Sequence, residues 1–115
     1  MENKRKNKDY NPLNCGVTHF FNLVGGKWKA LVIFGISKKC NRFSLLQKAI
    51  PQISKQMLIN QLRELEEDKL IERKIFAEVP PRVEYTLTDY GNDVLSVILD
   101  IQQWGIKDLQ EKTEV

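Results

Sequence analysis

Gln56, Asn60, Arg63 and Glu67 recur at intervals that return to one side of a helix, with Lys55 and Ile59 flanking, while Leu58, Leu62 and Leu65 gather on the other. Each carboxamide sets a donor beside an acceptor, so Gln56 and Asn60 can each form a paired hydrogen bond with an adenine edge. Arg63 or Lys55 suits guanine, and Ile59, flanking the polar side, suits a thymine methyl. Ser54 stands at the expected helix start as a cap, where its hydroxyl and the helix N-terminus suit a phosphate. The plain alternative is a solvated helix face. Against it stands a ribbon with a basic tip, next in the chain.

That ribbon is an expected β-hairpin. Residues 70–76 and 82–87 alternate apolar and polar, and Pro80-Pro81, which cannot donate ladder hydrogen bonds, belong in the turn between them. Arg82, just past the prolines, is placed for a minor groove or a phosphate. Its alternative is a salt bridge to Glu78 or Glu84. Lys27 and Lys29 at the start of one helix, and Arg42 before another, are further phosphate candidates, with solvated charges as the alternative.

Cys15 and Cys40 are the other groups with chemistry. Two cysteines make no disulfide framework, and their separation is not metal-site spacing. Cys15 falls at or just before a helix N-terminus, where the dipole favours the thiolate, the reactive form. It is therefore a candidate sensor of oxidants or electrophiles, with Cys40 as a resolving thiol across a subunit boundary. The alternative is an unreactive, partly buried thiol. His19, the one histidine, reads as structural, and Trp28 and Trp104 as core or interface packing.

The elements that must position these groups follow from periodicity. Residues 1–13, with Lys4, Arg5, Lys6 and Lys8, lack apolar periodicity and are expected as a flexible basic arm. Val17, Phe20, Phe21 and Val24 mark a first helix, stopped by Gly25-Gly26. A second starts at Lys27, and a short strand at Arg42-Phe43 leads to a third helix capped by Ser44 and ended before Pro51. The helix from Ser54 runs to about Asp68, with the hairpin after it. A last helix, capped by Thr88, carries more apolar residues (Val94 to Trp104) than one packing face needs, and the surplus predicts a dimer interface. One domain over 14–110 with a tail at 111–115 is expected, in an α+β, mostly helical architecture.

Composition bounds the rest. The chain has 115 residues, 42% hydrophobic and 29% charged, with a net charge of +3, ordinary for a globular domain. No apolar run reaches the roughly 18–20 residues of a membrane span, and no signal peptide is recognisable, so a cytoplasmic protein with no membrane partner is expected. Acid–base pairs, metal clusters and phosphate loops are missing from the pattern. Gly25-Gly26-Lys27 lacks the remaining spacing and the Ser/Thr of such a loop. No enzyme and no cofactor is expected.

The motifs together resemble the HxlR-type transcriptional regulators, bacterial winged helix-turn-helix proteins. The matching pieces are Cys15, Gly25-Gly26-Lys27-Trp28, Arg42-Phe43-Ser44, Ile53-Ser54 with Met57-Leu58, Gln61 through Asp68, Glu78 through Tyr85, and Leu87-Thr88 followed by Gly91. The resemblance implies a winged helix whose first and last helices build a homodimer on a pseudo-palindromic duplex DNA operator. It also implies that a cysteine at the place of Cys15, or a small effector, regulates the dimer. Two departures stand out. Gly16 replaces the family's proline, and Lys69 replaces a glycine ahead of the wing, at the expense of local strain. The competing class is a winged-helix protein-interaction module without specific DNA binding.

Overall fold

The computed structural model describes residues 13–113. All of the expected basic arm except Leu13 lies outside them, as do residues 114–115. The order is α1 (Gly16–Val24), α2 (Lys29–Ser37), α3 (Phe43–Ala49), α4 (Lys55–Glu67), β1 (Ile71–Phe76), β2 (Arg82–Leu87) and α5 (Asp89–Thr113). The α+β, mostly helical reading holds, with a two-stranded wing.

α2 is the apolar centre. Val32 and Ile33 are fully buried in it, and it packs against α3, α4, α5 and β2. It begins at Lys29 rather than Lys27, because the turn after α1 places Gly26 at φ 83° and takes up Lys27 and Trp28 before the helix starts. α4 brings Leu58, Leu62 and Leu65 to the same core, as the stripe predicts.

α2 and α4 end the same way. The Cys40 and Lys39 amides donate to the Gly35 and Ile36 carbonyls, and the Leu70 and Lys69 amides donate to those of Leu65 and Glu66. These are paired Schellman closures, and each needs a left-handed residue just past the helix. Lysine occupies both positions, Lys39 at φ 70° and Lys69 at φ 65°. Leu65 and Leu70, the two positions whose apolar contact usually accompanies such a closure, are both fully buried.

Three expectations change. Ser44 is not the cap of α3. Arg42 holds that place in extended conformation, and Ser44 lies within the first turn. The short strand at Arg42-Phe43 reduces to one hydrogen bond, from the Tyr85 amide to the Asn41 carbonyl at 2.8 Å, and that bond fixes the extended entry into α3. α5 continues past residue 110 to Thr113, so most of the expected tail is helix.

The wing is an antiparallel pair with Ile71 opposite Leu87, Arg73 opposite Tyr85 and Ile75 opposite Val83. Its base is locked to α5. The Thr88 hydroxyl donates to the Lys69 carbonyl at 2.6 Å and accepts from the Gly91 amide at 2.9 Å. A Cβ at Gly91 would collide with the Leu70 carbonyl, so this start of α5 can lie against the strand only as glycine.

Candidate nucleic-acid interface

α3, the turn at residues 50–54 and α4 form a helix-turn-helix. Ile50 and Ile53 are buried in the turn, and the Ile53 amide donates to the Ile50 carbonyl at 3.1 Å. α4 is capped by Ser54, whose hydroxyl oxygen accepts from the Met57 amide at 3.1 Å. The hydroxyl hydrogen is left for an outside acceptor.

With the leucine stripe buried, Lys55, Gln56 and Arg63 are exposed and Ile59 and Asn60 half-buried, so the expected α4 residues all lie outside the buried stripe. Gln56 donates through Nε2 to Asn60 Oδ1 at 3.0 Å, one turn apart. Each amide therefore spends one group on the other. That bond uses neither the Gln56 oxygen nor the Asn60 NH₂, which leaves an acceptor and a pair of N–H donors one turn apart.

The lysines and arginines expected at phosphates divide. Lys27, exposed, lies over the Trp28 ring at 4.9 Å in the turn before α2, and Arg42 is exposed at the entry to α3. Lys29 is different. Its Nζ meets Glu64 of α4 at 2.7 Å with the side chain only 14% exposed, which makes it a structural cation rather than a phosphate contact.

Arg82 also turns inward. Its guanidinium pairs with Glu78 at 3.0 Å and Glu84 at 3.5 Å and covers the Phe76 ring at 4.0 Å. Both alternative salt bridges form, so the geometry does not favour a reach by Arg82 to a groove. The apolar tip beside it, with Val79 fully exposed ahead of Pro80 and Pro81, is the wing's outermost part.

Between α4 and the wing opens a cleft of about 320 Å³, lined by Phe43, Ile59, Arg63, Glu66, Arg73 and Tyr85 with Leu62 behind. Burial pushes the Tyr85 phenol above its ordinary value, and Glu66 adds to the shift. Arg73 opposes it by charge and by a hydrogen bond. Sequence reasoning missed Arg73 and Tyr85 as site residues. Strand alternation put Arg73 on the same strand face as Ile71, but only the register sets it opposite Tyr85.

Cys15 is the residue just before α1 and is partly exposed. The amides of Thr18 and Val17 lower its pKa, burial opposes them weakly, and the Thr18 hydroxyl adds to the lowering. Cys40 is a free, half-buried thiol packed against the core beyond the end of α2. His19 is exposed on α1. Among the described residues no group of His, Cys, Asp or Glu could hold a metal ion, and no helix is long and apolar enough to cross a membrane.

A helix-turn-helix followed by a wing and a long terminal helix is the arrangement the motifs implied, and the sequence pattern of the HxlR-like helix-turn-helix proteins matches residues 23–113. The chain belongs to this family. HxlR-like members are transcriptional regulators with a DNA-binding helix-turn-helix, not enzymes. The HTH-type transcriptional regulator YdeP of Bacillus subtilis is 38% identical over 110 residues, covering 93% of this chain and 86% of its own. The redox regulator HypR in its oxidised form superposes with a TM-score of 0.74 at 34% identity, covering 81% of this chain and 96% of that one. The reduced transcriptional regulator YodB of B. subtilis gives 0.66 at 35% identity over 78% of this chain and 89% of its own. The HxlR-like chain thus shares a winged-helix fold with HypR and YodB at about a third sequence identity.

Proposed function

We propose that the protein is a sequence-specific DNA-binding transcriptional regulator that acts as a homodimer. The observation that carries this reading is the accessible surface of α4, where Lys55, Gln56 and Arg63 are exposed and Ile59 and Asn60 half-buried, beside the wing. In helix-turn-helix proteins the second helix enters the major groove and meets base edges through its N-terminal half. Gln56, Asn60 and Arg63 read bases, Ile59 meets a thymine methyl, and Lys55 a guanine or a phosphate. Ser54, Lys27 and Arg42 hold the backbone. Arg82 shapes the wing through Glu78, Glu84 and Phe76.

A second copy is called for by apolar surface. Val17 and Phe21 on α1 and Ile101, Trp104 and Leu109 on α5 are all more than half exposed. Isolated apolar residues on a surface are ordinary, but a band along two helices marks an interface. Pairing through α1 and α5 allows two copies of α4 to enter successive major grooves, which lie about 34 Å apart. Two-fold pairing calls for a pseudo-palindromic operator.

Cys15 regulates the dimer in this reading. Its depressed thiol pKa supplies thiolate, and its place just before α1 ties it to the interface. The similar protein HypR is known in oxidised and reduced forms, and YodB in reduced and diamide-treated forms. Cys40 is the candidate resolving thiol of an intersubunit disulfide.

The test is fluorescence anisotropy with duplexes from the protein's own upstream region against scrambled duplexes, at fixed salt. Discrete saturation on one sequence at least about a hundredfold tighter than on scrambled DNA is expected. Equal affinity for both removes specific regulation and leaves a protein-interaction module. Repeating the titration after diamide, with wild type and Cys15→Ser, tests the sensor, since equal responses exclude Cys15 as the switch.

A further inference from the structure

The cleft between α4 and the wing sets aromatic and aliphatic side chains beside three charged ones. Its volume of about 320 Å³ falls at the lower end of the range small-molecule sites occupy. Phe43 and Tyr85 line it with aromatic surface and Ile59 and Leu62 with aliphatic surface, and two arginines, Arg63 of α4 and Arg73 of β1, line it from different elements. Neither arginine forms a salt bridge with any carboxylate among the described residues, unlike Arg82 and Lys29. Arginine forks bind planar carboxylates with two parallel hydrogen bonds, and aromatic faces favour a planar ring. Glu66, the one acid of the lining, is the acceptor available to a donor substituent on such a ring.

We propose that this cleft binds a small aromatic carboxylate carrying a ring hydroxyl or amine, and that its occupancy opposes DNA binding. The second half rests on the DNA-binding reading of α4. The ligand would neutralise Arg63, one of the base readers, and fill the space between the recognition helix and the wing. Linkage then makes the effect reciprocal, so DNA weakens the ligand by the same factor.

The experiment is calorimetric titration of the full chain, without DNA, using 4-hydroxybenzoate, benzoate, acetate and inorganic phosphate as probes. Saturable binding of 4-hydroxybenzoate, weaker binding of benzoate and none of acetate are expected. Arg73→Gln should weaken the hydroxybenzoate at least about tenfold, and Tyr85→Phe, a second variant, should weaken it less. DNA anisotropy with and without saturating 4-hydroxybenzoate then reads the coupling. No saturable binding overturns the site. Phosphate binding as well as the aromatic acid does overturns it in favour of a DNA-backbone anchor. Binding that Arg73→Gln leaves intact places the ligand elsewhere. Binding with unchanged DNA affinity overturns the coupling. If no duplex binds specifically yet 4-hydroxybenzoate still saturates, the DNA reading fails and the ligand site stands.

Discussion

Lys29 Nζ lies 2.7 Å from Glu64 Oε1, joining the start of the central helix α2 to the recognition helix α4. The lysine is mostly buried and the glutamate half-exposed, so the two partners do not cost the same to lose. Glu64→Gln leaves a largely desolvated ammonium without its counter-charge, whereas Lys29→Met removes the charge and keeps the apolar stem. Glu64→Gln should therefore destabilise by about 1–2 kcal/mol and Lys29→Met by less. Urea denaturation of both and of the double variant checks this. An additive double variant would show the pair is not coupled.

The lysines at Lys39 and Lys69 occupy left-handed positions that glycine takes without strain. Lys69→Gly and Lys39→Gly should each raise stability by about 0.5–1 kcal/mol, read as a higher denaturation midpoint with unchanged slope. A loss of stability would mean that the lysine side chains make compensating contacts.

Gln56 and Asn60 share one hydrogen bond, so they should read DNA as a unit. Each alanine variant should lose about 1–3 kcal/mol on the operator, and the double variant clearly less than the sum. Anisotropy on the operator and on scrambled duplex provides the cycle. Losses equal on both duplexes would assign the pair to non-specific contact.

Arg82 is already balanced by Glu78 and Glu84. Arg82→Ala should weaken DNA binding by loosening the wing while leaving the salt dependence unchanged. A contact with one phosphate would instead lower the slope of log K against log salt by about 0.9. Titrations at several salt concentrations separate the two.

Cys15 has a thiol pKa lowered in the folded chain by the Thr18 and Val17 amides. Such a group contributes stability that is fully present above its unfolded pKa and lost as pH falls through its folded one. The stability gap between wild type and Cys15→Ser should therefore widen as pH rises from the depressed value to the ordinary thiol value of about 8.5. Iodoacetamide alkylation of Cys15 in a Cys40→Ser background should reach half its maximal rate below that value. A midpoint at the free-cysteine value would leave Cys15 without activation.

The sequence by itself determined the order of the five helices and the two wing strands, the α4 stripe with its polar side, the proline turn of the wing and the Thr88 cap, while placing one short strand before α3 that does not form. Each is a local matter, since helical and strand periods and cap chemistry act over a few neighbouring residues. The tertiary structure decided what depends on distant pairing. Helix packing drew Lys29 onto Glu64, and strand register set Arg73 against Tyr85 and so built the cleft. The bond from Tyr85 to Asn41 moved the start of α3 ahead of Ser44. Arg82 shows the boundary between the two. Its neighbours Glu78 and Glu84 were legible as rivals for its charge, but only the folded hairpin brings both within reach and lays the guanidinium on Phe76.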